Sequence, residues 1–564
     1  MPSIDRSSVP PHFCDVLASA RCPSRQGGGG APASGKPPFE RIPFRGLLQS
    51  QCAPATQPRS FFRAILVAFA ILVLQNAGSA ETWAVKPKAS HEKRLAPELD
   101  LLQRGDCRFR GISRCGKAVY TIPAEKTNSI RSMAVRMDAN VPEVDEKSRR
   151  ILISYPASTK KPAAATLAAA GLKQLEDYEK GSFLVVEPEQ EVSGAAVKAL
   201  LEDDAVLYAS PDYVVTANPT QRAGVVQTAA AGTIPNDPLF DQLWGMRNIR
   251  ATDVWPTVRE APKVIVAVID TGVDYNHPDL RNNMWTRNGT YGYDFCDDDN
   301  NPMDEEGHGT HCAGTIAGVG NNGVGVVGVT WKAQIMAMRF MGPDGSGSTS
   351  DAVKCIDWAV ANGAHILSNS WAGPDNSREL AEAVSRAEKR GVLFVAAAGN
   401  TVGNGNNNDT SPYFPASLPN SNVMTVGAID VNNARGSFSH YGQRSVDIGA
   451  PGVGIVSTVV NGQYSRQDGT SMAAPHVAGA AALVWSRTFA TPSQDPAQMT
   501  TVRDLIYANA RPVPALRNFW GYTPPAKVPG GVLDLSFLIA PTNGPTVPRR
   551  LVEFRMKVDP AKLR

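Results

Sequence analysis

The stretch Asp468–Val484, DGTSMAAPHVAGAAALV, decides how the second half of the chain folds. Its run of small and apolar residues predicts a helix that packs closely against its neighbours. The start of this helix is unusual, because Ser471 follows a Gly-Thr step and Pro475 lies in about the first turn. Serine is a common helix N-cap, so Ser471 is either a cap or a hydroxyl placed for chemistry.

The segments around this stretch alternate between strands and helices from Pro235 to about Pro541. KVIVAVID, which ends at Asp270, is a continuous apolar run of the kind found in buried parallel strands. HGTHCAGTIAG and STSDAVKCIDWAVANGA are predicted helices, and VLFVAAAGN is another strand. The alternation predicts an α/β fold of three layers, a parallel sheet covered by helices on both faces. Functional side chains gather at the carboxyl ends of such strands, where Asp270, Ser370 and Asn400 are expected.

The residues ahead of this region predict a small α+β unit of ferredoxin-like type, with the element order β-α-β-α-β. RRILISY, SFLVVEP and AVLYASPDYVV are predicted strands, AAATLAAAGLKQL is a predicted helix, and SGAAVKALLEDD is a predicted capped helix. The predicted segments of the chain are an extension with a signal (1–80), a charged pro-region (81–148), the small unit (149–218), a linker (219–234), the α/β domain (235–541) and a basic tail (542–564).

The N-terminal 80 residues predict a Gly/Pro/Ser-rich extension followed by an export signal. Arg59 and Arg63 precede the apolar run Ala64–Leu74, and a Gly-Ser-Ala step ending at Ala80 follows it. This basic, apolar and small-residue order is typical of a cleaved secretory signal. We therefore expect secretion, with retention of the run as a membrane anchor as the alternative. In a secreted chain two sequons are candidates for glycosylation, those of Asn288 and Asn408.

Charge and cysteine content exclude several classes of function. A net charge of +3 over 564 residues gives no reason to expect a nucleic-acid partner. The sequence has no CxxC motif, so a cysteine zinc site is not predicted. Cys107 and Cys115 are close enough in sequence to pair in an oxidising compartment. Cys296, Cys312 and Cys355 form an odd set, which leaves at least one free thiol.

Three segments together carry the residues of nucleophilic catalysis. They are VIDTGVD with Asp270, GHGTHCAG with His308, and DGTSMAAPHVAG with Ser471. The chemistry needs a hydroxyl nucleophile, an imidazole that takes its proton, and a carboxylate that holds the imidazole in one tautomer. Alone, each residue has an ordinary reading as a turn, a core histidine or a cap. Their joint occurrence in glycine-rich surroundings indicates one site.

These segments resemble those of the subtilisin-like serine proteases (subtilases), which have the same Asp, His, Ser order. The resemblance covers about residues 235–535 and implies a serine endopeptidase. It implies that Asp270 orients the imidazole, His308 is the general base and then acid, and Ser471 attacks the scissile carbonyl. Asn400 matches the family's side-chain donor to the oxyanion. The alternative is a catalytically silent binding protein of the same fold.

The resemblance also implies a groove that binds protein or peptide substrates as an extended strand. Ala372 lies where relatives usually have Gly, and Tyr413 lies where many have a smaller residue, so we expect a restricted first pocket. The predicted groove residues are Ser346, Gly347, Ser370, Trp371, Ala372, Gly373 and Tyr413.

The small unit resembles the inhibitory propeptides of this family. The segment VLYASPDYVVTAN would be the tail that enters the groove, which puts Asn218 near the cleaved bond. Pro219 follows it directly and disfavours cleavage there, so a later cut before Pro235 stays open. A structural domain without an inhibitory role is the alternative.

Structural Ca²⁺ is the predicted cofactor, at one or two sites. The loop with Asp294, Asp297 and Asp299 offers hard oxygen ligands at close spacing and resembles the family's calcium loop. The second site joins positions that share one calcium in relatives: Asp237, Asp279, Asn322 and the carbonyls of Val324 and Val326. We expect the protein to act as a monomer.

Overall fold

The computed structural model describes the chain within the compact unit Leu66–Arg564. Backbone and side chains are described for residues 149–157, 161–190, 192–217, 235–521 and 528–539, and backbone alone for short strands within 71–136 and 221–225. Among the described helices, none is both long enough and apolar enough to cross a membrane. The predictions that fall outside the described side chains are the signal run 64–74, the Cys107–Cys115 pair, Asn218, Pro219 and the tail 542–564.

Five short strands near the N-terminus form one sheet. They are β1 (Ile71–Leu72), β2 (Ala80–Ala84), β3 (Arg108–Ile112), β4 (Ala118–Pro123) and β5 (Val135–Arg136). Their order in the sheet is β3-β4-β2-β1-β5.

The small unit folds as a four-stranded antiparallel sheet with two helices. Its elements are β6 (Ile151–Ser154), α1 (Ala164–Ala169), β7 (Leu172–Tyr178), β8 (Phe183–Pro188), α2 (Gly194–Glu202) and β9 (Tyr208–Pro211), followed by β10 (Val214–Thr216). The sheet order β7-β8-β6-β9 is that of a ferredoxin-like β-α-β-β-α-β unit. Ser193 caps α2 by accepting a hydrogen bond from the Ala196 N–H.

One predicted helix of this unit is wrong at its C-terminal end. The run AAATLAAAGLKQL forms a helix only as far as Ala169, and its last four residues begin β7. Gly171 adopts a left-handed conformation with φ of 65°, which ends the helix, and the following segment pairs with β8. The alanine-rich composition concealed this stop and a whole strand.

The α/β domain is built on one mostly parallel sheet. Its strands are β12 (Glu260–Asp270), β13 (Gly292–Asp294), β14 (Lys332–Arg339), β16 (Ile366–Asn369), β17 (Leu393–Ala397), β18 (Val423–Ile429), β19 (Ile448–Pro451), β22 (Arg511–Pro512) and β23 (Gly531–Val532). Smaller strands are β11 (Gln221–Val225), β15 (Ser346–Ser348), β20 (Ile455–Val459) and β21 (Gln463–Asp468). The order is β13-β14-β12-β16-β17-β18-β19-β23-β22, and every described neighbour pair is parallel except β22 with β23.

Helices cover both faces of this sheet, as the alternating pattern predicts. The helices are α3 (Trp244–Asn248), α4 (Ala251–Val254), α5 (His308–Ala317), α6 (Thr349–Ala361), α7 (Arg378–Lys389), α8 (Thr470–Thr488) and α9 (Pro496–Ala508). Alternate residues of β12 enter opposite cores: Val266 and Val268 pack with α5, α8 and α9, while Ala267 and Ile269 pack with α6 and α7. The three-layer α/β fold is therefore confirmed.

The structure shows whether the three cysteines of the domain are paired and whether its two sequons are exposed. Cys296, Cys312 and Cys355 are all free thiols. Asn408 is only 2% exposed and donates its amide to the carbonyl of Ala398 at 2.8 Å, so its sequon is closed in the folded protein. The glycosylation prediction at Asn408 is therefore wrong, while Asn288 is exposed and stays a candidate.

We predict that Gly479→Ala lowers the free energy of unfolding by about 1–3 kcal/mol, because small residues let α8 approach α5 closely. A Cβ at Gly479 would lie 2.8 Å from Val329 Cβ and 2.9 Å from the Ile316 carbonyl oxygen. In the control Gly342→Ala, the added Cβ lies 3.5 Å from Asp344 Oδ1, an ordinary contact. Urea unfolding compares the two variants, and equal stabilities would contradict the packing argument.

Candidate active site

A buried carboxylate–imidazole pair lies at the carboxyl end of β12. The Nδ1 atom of His308 is 2.7 Å from Oδ1 of Asp270, and both side chains are fully buried. An ionised carboxylate only accepts hydrogen bonds, so the imidazole donates from Nδ1 and keeps Nε2 as the basic nitrogen. Nε2 of His308 has no hydrogen-bond partner among the described residues.

Neighbouring groups hold both members of this pair. The Thr271 N–H donates to Asp270 Oδ1 at 2.8 Å, and the Thr271 hydroxyl accepts the N–H of Gly309. Asp304 caps the first turn of α5, because its carboxylate accepts the N–H groups of Gly307 and Thr310. Burial raises the pKa of Asp304 to about 6.

Ser471 lies in the first turn of α8, beside the residues that replace a missing helix hydrogen bond. Pro475 has no N–H, so the carbonyl of Ser471 cannot receive the usual bond from four residues on. The Ser370 hydroxyl donates to that carbonyl at 3.0 Å, and the Cys312 thiol donates to it at 3.4 Å. In return, Oγ of Ser471 donates to the Ser370 carbonyl at 3.0 Å. The two serines therefore lock each other in place.

Cys312 connects the serine to the carboxylate–imidazole pair. Its sulfur and the nearest side-chain atoms of Asp270 and His308 all lie within 4.8 Å of one another. The Cys312 sulfur therefore contacts the start of α8 as well as lying near this pair. Burial raises the pKa of the Cys312 thiol, which keeps it protonated and suits it as a donor.

The Asn400 amide is fixed beside Ser471. Its Oδ1 accepts both the N–H and the hydroxyl of Thr470, each at 3.0 Å. Its Nδ2 lies 3.6 Å from the position a Cβ would take on Gly469. An amide held by its oxygen has a defined direction for its N–H₂, here next to the N-terminus of α8. The N–H groups at that terminus form no bonds within the helix and favour negative charge.

The predicted groove walls flank an extended segment of the small unit. β10 runs antiparallel to β15, with Val215 opposite Gly347 and Thr216 opposite Ser346. On the other side, Thr216 and Ala372 exchange backbone hydrogen bonds of 3.2 and 3.4 Å. Val215 is buried in the same core as Trp371 and Phe340. The tail therefore adds a strand between the two walls.

The remaining predicted groove residues have different surroundings. The Trp371 indole is buried and donates to the Ile269 carbonyl at 3.0 Å, so its side chain supports the wall from behind. Gly373 pairs with Phe414, and a Cβ on Gly373 would lie 3.2 Å from Val215 Cγ1. Tyr413 is half-buried, and its ring meets the His440 ring edge-on with centroids 4.6 Å apart.

Carboxylates join the small unit to the α/β domain. Asp212 accepts the N–H and the hydroxyl of Ser350 at 2.9 and 2.6 Å, which caps α6 from outside. Burial and the nearby Asp351 raise the pKa of Asp212 to about 6. Glu379, at the start of α7, accepts bonds from Ser154 and Ser210 of the small unit. Burial raises the pKa of Glu379 as well.

The first predicted calcium loop is engaged by an arginine. Nη1 of Arg339 bonds the carboxylates of Asp294 and Asp297, and its Nη2 bonds Glu305 at 3.0 Å. Asp299 instead accepts the Asn301 N–H at 2.8 Å. The guanidinium supplies the positive charge that an ion would bring, so this geometry does not favour calcium here. A calcium ion in this loop stays a prediction.

At the second predicted calcium site, two buried carboxylates, Asp237 and Asp279, accept hydrogen bonds from uncharged groups. Asp279 accepts the Asn322 amide, the Val326 N–H and the Tyr464 hydroxyl. Asp237 accepts two backbone N–H groups, from Asn321 and Asn322. Burial raises the pKa of Asp279 to about 7. Among the described residues, no backbone N–H donates to the carbonyls of Val324 and Val326. These oxygens and carboxylates fit a hard cation.

Sequence reasoning missed the residues that position the site. Asp304, Thr470 and Cys312 support it through contacts that no single segment displays. Asp304 had the clearest signal, an acidic residue just before a helix start. His311, in contrast, is a buried core residue: it bonds the carbonyls of Ile455 and Ser465, and burial lowers its pKa to about 3.

Comparison with known proteins finds close similarity over the α/β domain. The family model described as the subtilase family matches residues 261–523. The thermophilic serine proteinase of Bacillus sp. (strain AK1) is 39% identical over 294 residues, which are 52% of this chain and 66% of that protein. Thermitase of Thermoactinomyces vulgaris is 41% identical over 254 residues, 45% of this chain and 86% of its own length. Subtilisin Savinase of Lederbergia lenta is 44% identical over 241 residues, 43% of this chain and 83% of its own length.

We predict that Arg339→Leu lowers the free energy of unfolding by about 3–5 kcal/mol, because it leaves the buried Asp294 carboxylate without its cation. The control is Lys198→Leu, whose ion pair with Glu202 is exposed on both sides. That surface pair should contribute no more than about 0.5 kcal/mol. Denaturant unfolding measures both, and a loss no greater than that of the control would contradict the role of Arg339.

Proposed function

Because the chain belongs to the subtilase family of serine endopeptidases, we propose that it hydrolyses peptide bonds through Asp270, His308 and Ser471. The observation that carries the proposal is the buried 2.7 Å contact between Asp270 Oδ1 and His308 Nδ1, which leaves the imidazole Nε2 without a hydrogen-bond partner among the described residues. A catalytically silent binding protein would have no need of this arrangement.

In the proposed reaction, Ser471 Oγ attacks the carbonyl carbon of the scissile bond and forms an ester. Its hydroxyl turns from the Ser370 carbonyl towards His308 Nε2, which takes the proton and then gives it to the leaving amine. Asp270 holds the Nδ1–H tautomer and stabilises the imidazolium that forms. Water then attacks the ester while His308 takes a proton from it. His308 returns that proton to Ser471 Oγ as the ester bond breaks.

The oxyanion of each tetrahedral intermediate needs donors that are already in place. We assign the Asn400 side chain and the backbone N–H of Ser471 to this role. Thr470 fixes the direction of the Asn400 amide, so little reorganisation accompanies the reaction. The N-terminus of α8 contributes a favourable partial positive charge at the same point.

The small unit is proposed to be an inhibitory propeptide that the enzyme removes by its own activity. Its β10 strand fills the groove between β15 and Ala372, and the unit is also held by Asp212 and Glu379. A tethered strand competes with substrate at a high effective concentration. Secretion is part of the same proposal and depends on the order of residues in the predicted signal run.

Calcium is proposed at the Asp237 and Asp279 site, where the donors fit a hard cation. Asp237, Asp279, Asn322 and the carbonyls of Val324 and Val326 would hold it. The ion would neutralise two buried carboxylates and tie the segment that begins the domain to the loop of Asn322. Its role is structural, so no step of the reaction passes through it.

The hydrolysis of an internally quenched peptide tests the proposed nucleophile. We expect the wild type to cleave it after release of the small unit, and Ser471→Ala to lose at least about 10⁴-fold in kcat. The control is Ser437→Ala, at an exposed position, which should keep wild-type activity. Cleavage by Ser471→Ala at the wild-type rate would refute the assignment.

Chelation is expected to lower the melting temperature of the wild type. A ligand at 100 times its Kd adds about 2.7 kcal/mol to stability, and removing it loses that amount. Asp279→Asn should melt at the same temperature with and without chelator, because it removes a charged ligand. Calorimetry in both conditions checks this, and an unchanged wild-type melting temperature on chelation would rule the site out.

Docking of the small unit is expected to weaken as pH rises through about 6. Asp212 is buried in the docked state, which raises its pKa from the ordinary value of 3.8 to about 6. The docked state therefore favours the protonated form of Asp212. Each pH unit between these two values then lowers the equilibrium constant for docking by up to about tenfold. Nearby Asp351 raises this pKa and Arg150 lowers it.

We measure undocking of the small unit by the rate at which a serine-directed phosphonate labels the intact chain. Asp212→Asn is neutral at every pH, so its docking should respond only to the groups that it shares with the wild type, such as Glu379. The ratio of wild-type to variant labelling rates should therefore rise from pH 4 to pH 7, while the common pH dependence of the active site cancels. A constant ratio would count against Asp212 as the responsive group.

A further inference from the structure

The segment that carries Asn400 follows β17 and is held by two other parts of the chain. The first is Thr470, at the start of α8, whose hydroxyl accepts the Gly399 N–H at 3.1 Å and donates to Asn400 Oδ1 at 3.0 Å. The second is the loop between β18 and β19, which contains His440. The proposed reaction uses the contacts with Thr470 and gives no role to His440.

The chain around His440 pairs with the backbone on both sides of Asn400. The His440 N–H donates to the Gly399 carbonyl, and the Thr401 N–H donates to the Phe438 carbonyl, both at 2.9 Å. The imidazole also lies against Gly399, because a Cβ there would be only 2.6 Å from Nδ1 of His440. Gly399 has a φ of 108°, a left-handed conformation that glycine adopts readily. The ring therefore contacts the residue that directly precedes Asn400.

Hydrogen bonds fix the His440 ring in one tautomer. The Asn408 amide donates to the Ala398 carbonyl at 2.8 Å, so its Oδ1 is the acceptor that lies 3.1 Å from His440 Nδ1. Nδ1 therefore carries the proton, and Nε2 accepts the Thr401 hydroxyl at 2.7 Å. Both ring nitrogens are bonded, and Nε2 is bonded to the residue that directly follows Asn400.

The surroundings of His440 keep its ring neutral. The residue is 0% exposed, and burial, with a smaller contribution from the charge of Arg435, lowers its pKa to about 4. The Tyr413 ring meets the imidazole edge-on, with centroids 4.6 Å apart. A neutral, enclosed ring whose two nitrogens are both bonded is a rigid support.

We propose that His440 is a positioning residue for the oxyanion donor: its imidazole fixes the backbone at Gly399 and Thr401 and so directs the Asn400 amide between them. His440 does not touch the substrate and exchanges no proton with it. Its effect passes through Asn400, because a donor stabilises the transition state best when it already points to where the oxyanion forms. The inference rests on the proposed peptidase function and adds a residue outside the triad.

Turnover of the quenched peptide by His440→Asn tests the inference. The new side chain can donate to Asn408 in place of Nδ1 but does not reach Thr401. We expect kcat to fall about tenfold while KM changes by less than about twofold, because the lost interaction is made in the transition state. The control is His365→Asn, another buried histidine, which accepts the Ile265 N–H directly before β16. It should keep the wild-type kcat, and an unchanged kcat in His440→Asn overturns the inference.

A double-mutant cycle separates positioning from a general structural effect. Asn400→Ala alone should lose about 10²–10³ in kcat. Adding His440→Asn to it should lower kcat by less than about twofold more, because the amide that the ring directs is already gone. A further tenfold loss overturns the inference, since His440 would then act without Asn400.

Thr401→Val decides the question if His440→Asn does not fold. This exposed position carries the hydroxyl that donates to Nε2, and the substitution removes it while leaving the ring in place. We expect kcat to fall about two- to tenfold with an unchanged KM. An active wild type whose kcat neither variant lowers overturns this inference alone, whereas a wild type that hydrolyses no peptide refutes the peptidase function as well.

Discussion

Helix α8 begins inside the protein, and its first turn is held without the hydrogen bond that Pro475 removes. The carbonyl of Ser471 takes its bonds from Ser370 and Cys312 instead. Each of these residues belongs to another part of the site: Ser370 follows β16 beside the groove wall, and Cys312 lies on α5 beside His308. The Ser471 carbonyl, which Pro475 leaves without its bond within the helix, therefore fixes the serine relative to the imidazole and to the groove. The proline that looks awkward in the sequence is what makes this connection possible.

The sequence was sufficient for the features that depend on local pattern. The apolar run of β12 predicts a buried strand because both of its faces enter cores, and Asp270 follows as its last residue. Gly171 was overlooked as a helix stop because alanines surround it. The pairing of Ser370 with Ser471 joins positions 101 residues apart, and no periodicity encodes it.

The charged residues of the sequence predict their partners less well than the apolar residues predict the core. The acidic loop around Asp294 predicts a cation, and the sequence cannot tell a metal ion from a distant side chain. Arg339 is 45 residues away from Asp294 and reaches it only because β13 and β14 are neighbours in the sheet. The Asn408 sequon shows the same limit, because a three-residue motif carries no information on burial.

The small unit and the site are most simply understood together. The strand β10 pairs with β15 on one wall of the groove, and β11, later in the chain, pairs with β21, which leads into the segment of Ser471. Ser471 is 2% exposed in this arrangement. The carboxylates of Asp212 and Glu379 are buried where the two units meet, whereas the hydrogen bonds between Ser370 and Ser471 lie within the α/β domain.

The most direct test of this account is to locate the residue that a fluorophosphonate modifies in the active enzyme. Peptide mapping by mass spectrometry should find one adduct, on Ser471, and none in His308→Ala, because the hydroxyl is reactive only beside the imidazole. An adduct on another serine, or undiminished labelling of Ser471 in His308→Ala, would contradict the account.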